Sequence, residues 1–230
     1  MKYGSSHSMT VDLIEHMGSD LTVVNAARVS FNKESEWDSI PFGGKTEGVL
    51  SQRDEKLIKY LAKHKHWTPF GHCFAQFRIT APIFVARQLM KHQVGLVWNE
   101  ISRRYVDSEP EWWTPNTWRA KADNKKQGSS DEPVLDQVTV NYAYTDAIRH
   151  SISAYNFMLK NGVCPEQART VLPQSILTEW YWSGTLAAFA RVCNLRLEET
   201  AQEETKIIAK KINEHMKNLF PVSWCTLCGA

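Results

Sequence analysis

Apolar and polar positions along the chain follow two periods, and breakers separate the segments. From Asp54 to His64, Leu57, Ile58 and Leu61 recur at helical spacing and predict a helix. Phe74 to Thr80 alternates, imperfectly, as a half-buried strand does. Pro82 suits the first turn of a further helix, running through Arg87 to about His92. Residues 138–160 predict a long helix with Val140, Tyr144, Ile148 and Tyr155 near one face. Residues 184–196 and 199–219 predict two more, the second with Ile208, Ile212, Met216 and Leu219 on its stripe. Residues 11–31 fit a helix or a strand, and so does Ile176 to Trp182.

Between these lie turn-rich stretches. Residues 32–50 carry Pro41, Gly43 and Gly44, and His66 to His72 forms a short link. Residues 107–137 form the longest excursion, polar at its centre. A loop of that length is functional or disordered, and Gly128-Ser129-Ser130 predicts mobility without ligand. No repeat is visible. Helices and strands mix without strict alternation, so the expected class is α+β: mixed helices on a central, largely antiparallel sheet, one domain over 1–230.

Composition narrows the function. A chain of 230 residues with 43% hydrophobic and 23% charged residues is globular. The net charge of +2 gives no footprint for nucleic acid. No apolar run reaches the roughly 20 residues of a membrane span, and the N-terminus has no signal-like apolar region. The expectation is a cytoplasmic protein with reduced thiols, bound to neither nucleic acid nor membrane. Five cysteines are an odd count for a disulfide framework. Cys225-Thr-Leu-Cys228 lacks a matching second pair for zinc and reads as a frayed tail, so no metal is expected.

The densest chemistry runs from Arg87 to Tyr105. Arg87 and Lys91 are four apart, on one face if helical, with no acid at i±4. They suit a phosphate or another anion. Asn99-Glu100-Ile101-Ser102-Arg103-Arg104-Tyr105 follows. The apolar run Val94 to Trp98 would set these polar groups against buried surface, where an Arg needs a partner.

This segment resembles the signature of the flavin-dependent thymidylate synthases, R-H-R, seven residues, then S. Here it is Lys91-His92-Gln93, eight residues, then Ser102, ending N-E-I-S-R-R-Y. Lys91 and Gln93 replace two arginines, losing one fork and one charge. Further segments follow in family order: Ala26-Ala27-Arg28-Val29-Ser30-Phe31, His66-Trp-Thr68-Pro69-Phe70-Gly71-His72, Ala81 to Gln88, Ala168-Arg169-Thr170-Val171-Leu172-Pro173, and Asn194-Leu195-Arg196 with Ala201-Gln202-Glu203-Glu204.

The resemblance implies methylation of dUMP to dTMP by a homotetramer. Methylenetetrahydrofolate gives the carbon, FAD carries the hydride and NADPH is the reductant. It implies dUMP contacts from Gln88, Lys91, Glu100, Ser102, Arg103, Arg104, Arg169 and Arg196. Arg196 would polarise the uracil ring, in place of a catalytic cysteine. It implies FAD contacts from Ser30, His66, Thr68, Lys91, His92, Gln93, Glu100 and Arg191.

Plainer readings compete at each position. Ser30 can cap a turn, and His66 or His72 can be satisfied turn histidines. Arg169 can pair with Glu166, and Arg196 with Glu199, as surface ion pairs. Trp180 and Trp182 fit a core. The competing functions are a nucleotide- or flavin-binding protein without methyl transfer, and a nucleic-acid module using Arg87, Lys91, Arg103 and Arg104.

Overall fold

The computed structural model describes residues 8–38, 48–122 and 129–229, and of Asp131 the backbone alone. Its centre is a four-stranded sheet in the order β1 (Thr10–Met17), β2 (Phe74–Pro82), β6 (Leu177–Thr185), β3 (Leu96–Glu100), antiparallel throughout. The middle pair runs in unbroken register from Phe74 opposite Thr185 to Pro82 opposite Leu177.

Alternation along these strands decides which face is covered. Ala75, Phe77, Ile79 and Ala81 of β2 point inward, as do Trp180 and Trp182 of β6. They share one core with α1 (Asp20–Arg28), α2 (Gln52–Lys63), α6 (Leu186–Arg196), α7 (Glu203–Leu219) and α8 (Pro221–Cys228). Trp98 of β3 stacks on Trp180 with centroids 4.4 Å apart and planes 17° off parallel. The other face carries the cross-strand bonds Arg78–Glu179 at 2.8 Å and Gln76–Ser183 at 2.9 Å. A second, smaller cluster joins Trp112 and Ile176 to Ile148 and Ile152 of α4 (Gln137–Lys160).

Two local conformations position later features. Gly95 takes φ +76° in the turn before β3, and a Cβ on Gly184 would lie 2.6 Å from its carbonyl oxygen. The close approach of β3 to β6 therefore needs glycine at 184. At the end of α2, Lys65 is left-handed (φ 57°). His66 N–H donates to the Leu61 carbonyl at 2.8 Å and Lys65 N–H to that of Ala62 at 3.0 Å. This double-bonded helix stop turns the chain outward at His66.

Several sequence expectations change here. The 11–31 segment splits into β1, α1 and a 3-10 turn at Val29–Phe31. The helix after Pro82, α3 (Ile83–Leu89), stops short of His92, so Lys91 lies beyond it and shares no helical face with Arg87. Val94 to Trp98 is not a buried run. Val94 and Val97 are 79% and 69% exposed, because β3 is an edge strand and only Leu96 and Trp98 turn toward the core. On α4 the buried residues are Ile148, Ile152 and Tyr155, while Val140 is exposed.

The 107–137 excursion contains β4 (Arg119–Lys121) and β5 (Ser129–Pro133), paired as a ribbon. Its base is fixed where Gln137 accepts from Trp118 N–H and donates to the carbonyls of Trp118 and Val134. Residues 41–44, and Gly128 with the rest of 123–128, lie outside the described residues, as do 1–7.

The expected frayed tail is a packed helix. Trp224 of α8 is fully buried and donates its indole N–H to Asn213 at 2.7 Å. Asp20 caps α8, accepting from the N–H groups of Val222 (2.7 Å) and Ser223 (2.9 Å). The apolar load Pro-Val-x-Trp drives that docking; the CxxC spacing concealed it.

Candidate functional site

The Arg87–Tyr105 segment wraps the open edge of the sheet: α3, a turn through Lys91-His92-Gln93, strand β3, then a turn at Ser102–Tyr105. The last turn of α6 meets the first of these turns. Arg196 Nε donates to His92 Nε2 at 3.0 Å. Burial first, then the cations of Arg196 and Arg191, push the His92 imidazole below its ordinary pKa. The ring is therefore neutral at pH 7, with its proton on Nδ1 while Nε2 accepts. Burial also pushes the Arg196 guanidinium down, but an arginine stays charged. The surface pair with Glu199 does not form. With Nε engaged, the two Nη groups have no hydrogen-bond or ion-pair partner among the described residues. Arg191 reaches back to the Val94 carbonyl at 2.6 Å, tying α6 to the same turn.

Glu100 closes β3. Its carboxylate accepts from Thr178 Oγ1 at 2.6 Å and from Trp98 Nε1 at 3.2 Å, so both oxygens are oriented by the sheet beneath. Beyond it, Arg104 Nε donates to Ser102 Oγ at 3.2 Å, and its guanidinium lies 4.9 Å from the Tyr105 ring centroid. Arg103 donates to the Ser108 carbonyl at 2.6 Å, anchoring the start of the excursion.

Gln88 is held from α7. Its amide donates to Gln202 and accepts from the buried Thr205 hydroxyl at 3.0 Å. Gln202 donates to Glu204, which pairs with Arg119 of β4 at 2.7 Å. This chain of contacts connects the excursion to Gln88.

Other expected residues lie apart. Ser30 sits in the 3-10 turn after α1. Thr68 opens the 3-10 turn Thr68–Gly71 just after Trp67, and the ring of His66, one residue before Trp67, meets Tyr60 edge-on at 6.1 Å. Arg169 follows α5 (Pro165–Ala168), opens the 3-10 turn Arg169–Val171 and donates to the Glu166 carbonyl at 3.2 Å, not to its carboxylate. Among the described residues, no hydrogen bond or ion pair links Ser30, His66, Thr68 or Arg169 to the Lys91–Tyr105 segment. Lys91 and Gln93 are exposed.

The sequence reading missed two supporting residues, Thr178 and Thr205, and gave a third, Gln202, no role. Thr178 fixes Glu100, and Thr205 with Gln202 fixes Gln88. A Thr at an inward position of a Trp-rich strand was the available signal for the first. The five thiols form no disulfide. Burial pushes the Cys193 thiol well up and that of Cys228 to about 12, so neither is an anionic nucleophile at neutral pH. Among the described residues, no cluster of His, Cys, Asp and Glu is arranged to hold a metal ion, and no helix is long and apolar enough to cross a membrane.

An antiparallel sheet with helices on one face, edged by an acid-and-arginine segment, defines an α+β protein. The chain belongs to the thymidylate synthase complementing protein family, whose model matches residues 12–222. A flavin-dependent thymidylate synthase from Kosmotoga olearia is 36% identical over 217 residues, covering 93% of this chain and 87% of that one. One from Thermus thermophilus is 36% identical over 215 residues, covering 93% and 73%. Among solved structures, a UMP/dUMP methylase, PolB from Streptomyces cacaoi bound with 5-Br dUMP, matches with TM-score 0.83 at 28% identity, covering 97% and 96%. The same protein bound with 5-Br UMP gives 0.82 at 27%.

Proposed function

We propose that this chain methylates dUMP to dTMP reductively, with FAD as hydride carrier, methylenetetrahydrofolate as carbon donor and NADPH as reductant. The observation that carries the reading is the meeting of Arg196 with His92, in the turn from which β3 runs to the Glu100–Tyr105 segment. A guanidinium whose Nη groups face no internal partner suits the N3–C2 edge of a uracil ring, where negative charge develops as C5 becomes nucleophilic. Ser102 and Arg104, already paired with each other, suit the 5′-phosphate, with Arg103, Lys91 and Arg169 as further cations. Gln88 and the oriented Glu100 then fix the ring.

Ser30, His66, Thr68, Lys91, His92, Gln93, Glu100 and Arg191 are assigned to FAD. The exposed donors among them fit an anionic dinucleotide, although Arg191 already serves the Val94 carbonyl. Bound FAD supplies the two-electron step; the protein supplies orientation and charge. These groups are scattered over one subunit, and apolar side chains stand exposed at Val94, Val97, Tyr142 and Phe157. Both features support a homotetramer in which subunits complete one another's sites.

The test is dTMP formation from dUMP, methylenetetrahydrofolate and NADPH, with and without FAD, beside a parallel reaction on UMP. FAD-dependent dTMP is the expected product. Binding of dUMP without tritium release from its C5 position would overturn methyl transfer and leave a nucleotide-binding protein.

A further inference from the structure

A groove of about 480 Å³ opens beside the 3-10 turn that carries Ser30. Leu57 lines its apolar part, and Phe31 and Tyr60 border it, 76% and 53% exposed. Three cations, Arg28, Lys33 and Arg53, line it, and no acid does. Arg28 is committed elsewhere. It pairs with the buried Asp54, which also accepts from Ser35 and Ser51. Lys33 and Arg53 are exposed, and neither forms an ion pair with a described residue.

Exposed aromatic rings cost free energy in water, and uncompensated cations repel one another. Placed together around an apolar floor, they match a ligand with a flat ring and several negative charges. The groove also adjoins groups assigned above to FAD. Phe31 follows Ser30 directly, and Tyr60 touches the rings of His64 (4.3 Å) and His66 (6.1 Å).

We infer that this groove docks an acidic, aromatic co-substrate of the reaction, with Lys33 and Arg53 on its anionic groups and Phe31 and Tyr60 against its ring. The inference rests on the proposed function for the identity of the ligand. A nicotinamide dinucleotide phosphate and a folate with its glutamate tail share this chemistry, and the two arms of the test separate them.

The holoenzyme carrying Lys33→Ala, Arg53→Ala, or both, is compared with the unaltered protein. One arm follows anaerobic reduction of bound FAD by increasing NADPH. The other reduces the flavin with dithionite and follows dTMP formation with increasing methylenetetrahydrofolate, carrying one glutamate or several. Each lost cation should weaken the apparent affinity for one co-substrate by about tenfold, the scale of a charge-assisted contact. Saturated rates, FAD content and dUMP affinity should stay within about twofold of normal. Arg53→Lys should recover part of the affinity.

Unchanged apparent affinity for both co-substrates in the double variant overturns the inference. If the unaltered protein makes no dTMP, the proposed function fails, and the groove is still decided by quenching of tryptophan fluorescence with folate and NADP+. Quenching lost in the double variant upholds the groove. Equal quenching, or none in either protein, overturns it.

Discussion

Arg196 donates from Nε to Nε2 of His92 across 3.0 Å, joining the last turn of α6 to the turn that follows α3. The contact fixes the plane of the guanidinium while leaving its Nη edge for a ligand. Arg196→Ala should therefore lower the single-turnover rate of dTMP formation by about 10²–10³, with a much smaller loss of dUMP affinity. Arg196→Lys should recover only part, since a point charge replaces a planar fork. Near-normal turnover in Arg196→Ala, measured beside dUMP binding by flavin absorbance, would remove the residue from the mechanism.

The same contact predicts a pH dependence. His92 is held below its ordinary pKa by burial and by two neighbouring cations. Its folded pKa thus lies below its unfolded value of about 6.5. The stability it contributes is present above about 6.5 and is lost as pH falls through the depressed value, when imidazolium faces guanidinium. Urea unfolding between about pH 7 and 5 should show this loss, and His92→Gln should flatten it. An unchanged slope in that variant would assign the acid sensitivity to other groups.

Arg28 and Asp54 form an ion pair with both side chains largely buried. Burial alone would raise the Asp54 carboxyl, but bonds from Arg28, Ser51 and Ser35 outweigh it and hold it below the usual range. Arg28→Ala should destabilise by about 3–5 kcal/mol, because it strands a buried carboxylate. The double change Arg28→Met, Asp54→Leu should cost clearly less. Chemical denaturation of the three proteins checks this, and equal losses in the single and double variants would contradict it.

Asp20 joins the two ends of the described chain through the N–H groups of Val222 and Ser223. Asp20→Ala should destabilise by about 1–3 kcal/mol, the cost of leaving buried donors unmet. Amide exchange should rise first in α8. Protection of α8 equal to that of the unaltered protein would show that Trp224 alone holds the helix.

Much of this architecture was legible from periodicity. The stripe of Ile208, Ile212 and Met216 is buried on α7 as its spacing requires, and Trp180 and Trp182 are core. The failures share a cause: periodicity does not report what lies beside an element. Val94 to Trp98 reads as buried, yet nothing described covers the outer face of an edge strand. The C-terminal segment is too short for a periodic signal, and its helix exists because Trp224 finds a socket and Asp20 a cap. At the site, motif order singled out Arg196 and His92 separately. Their contact, like that of Thr178 with Glu100, joins residues far apart in sequence and follows only from the sheet's strand order.

That strand order also governs when the protein can take shape. The central strands are remote in the chain: Gln76 bonds Ser183 across 107 positions. A ribosome adding about 5–20 residues per second keeps β2 waiting on the order of 5–20 seconds for its partner. Meanwhile the inward face of β2, with Phe77 and Ile79, can be covered only by the early helices α1 and α2. Until Thr185 leaves the exit tunnel, β2 therefore lacks the partner strand that completes the centre of the sheet. The described core stays incomplete until α8 meets Asp20.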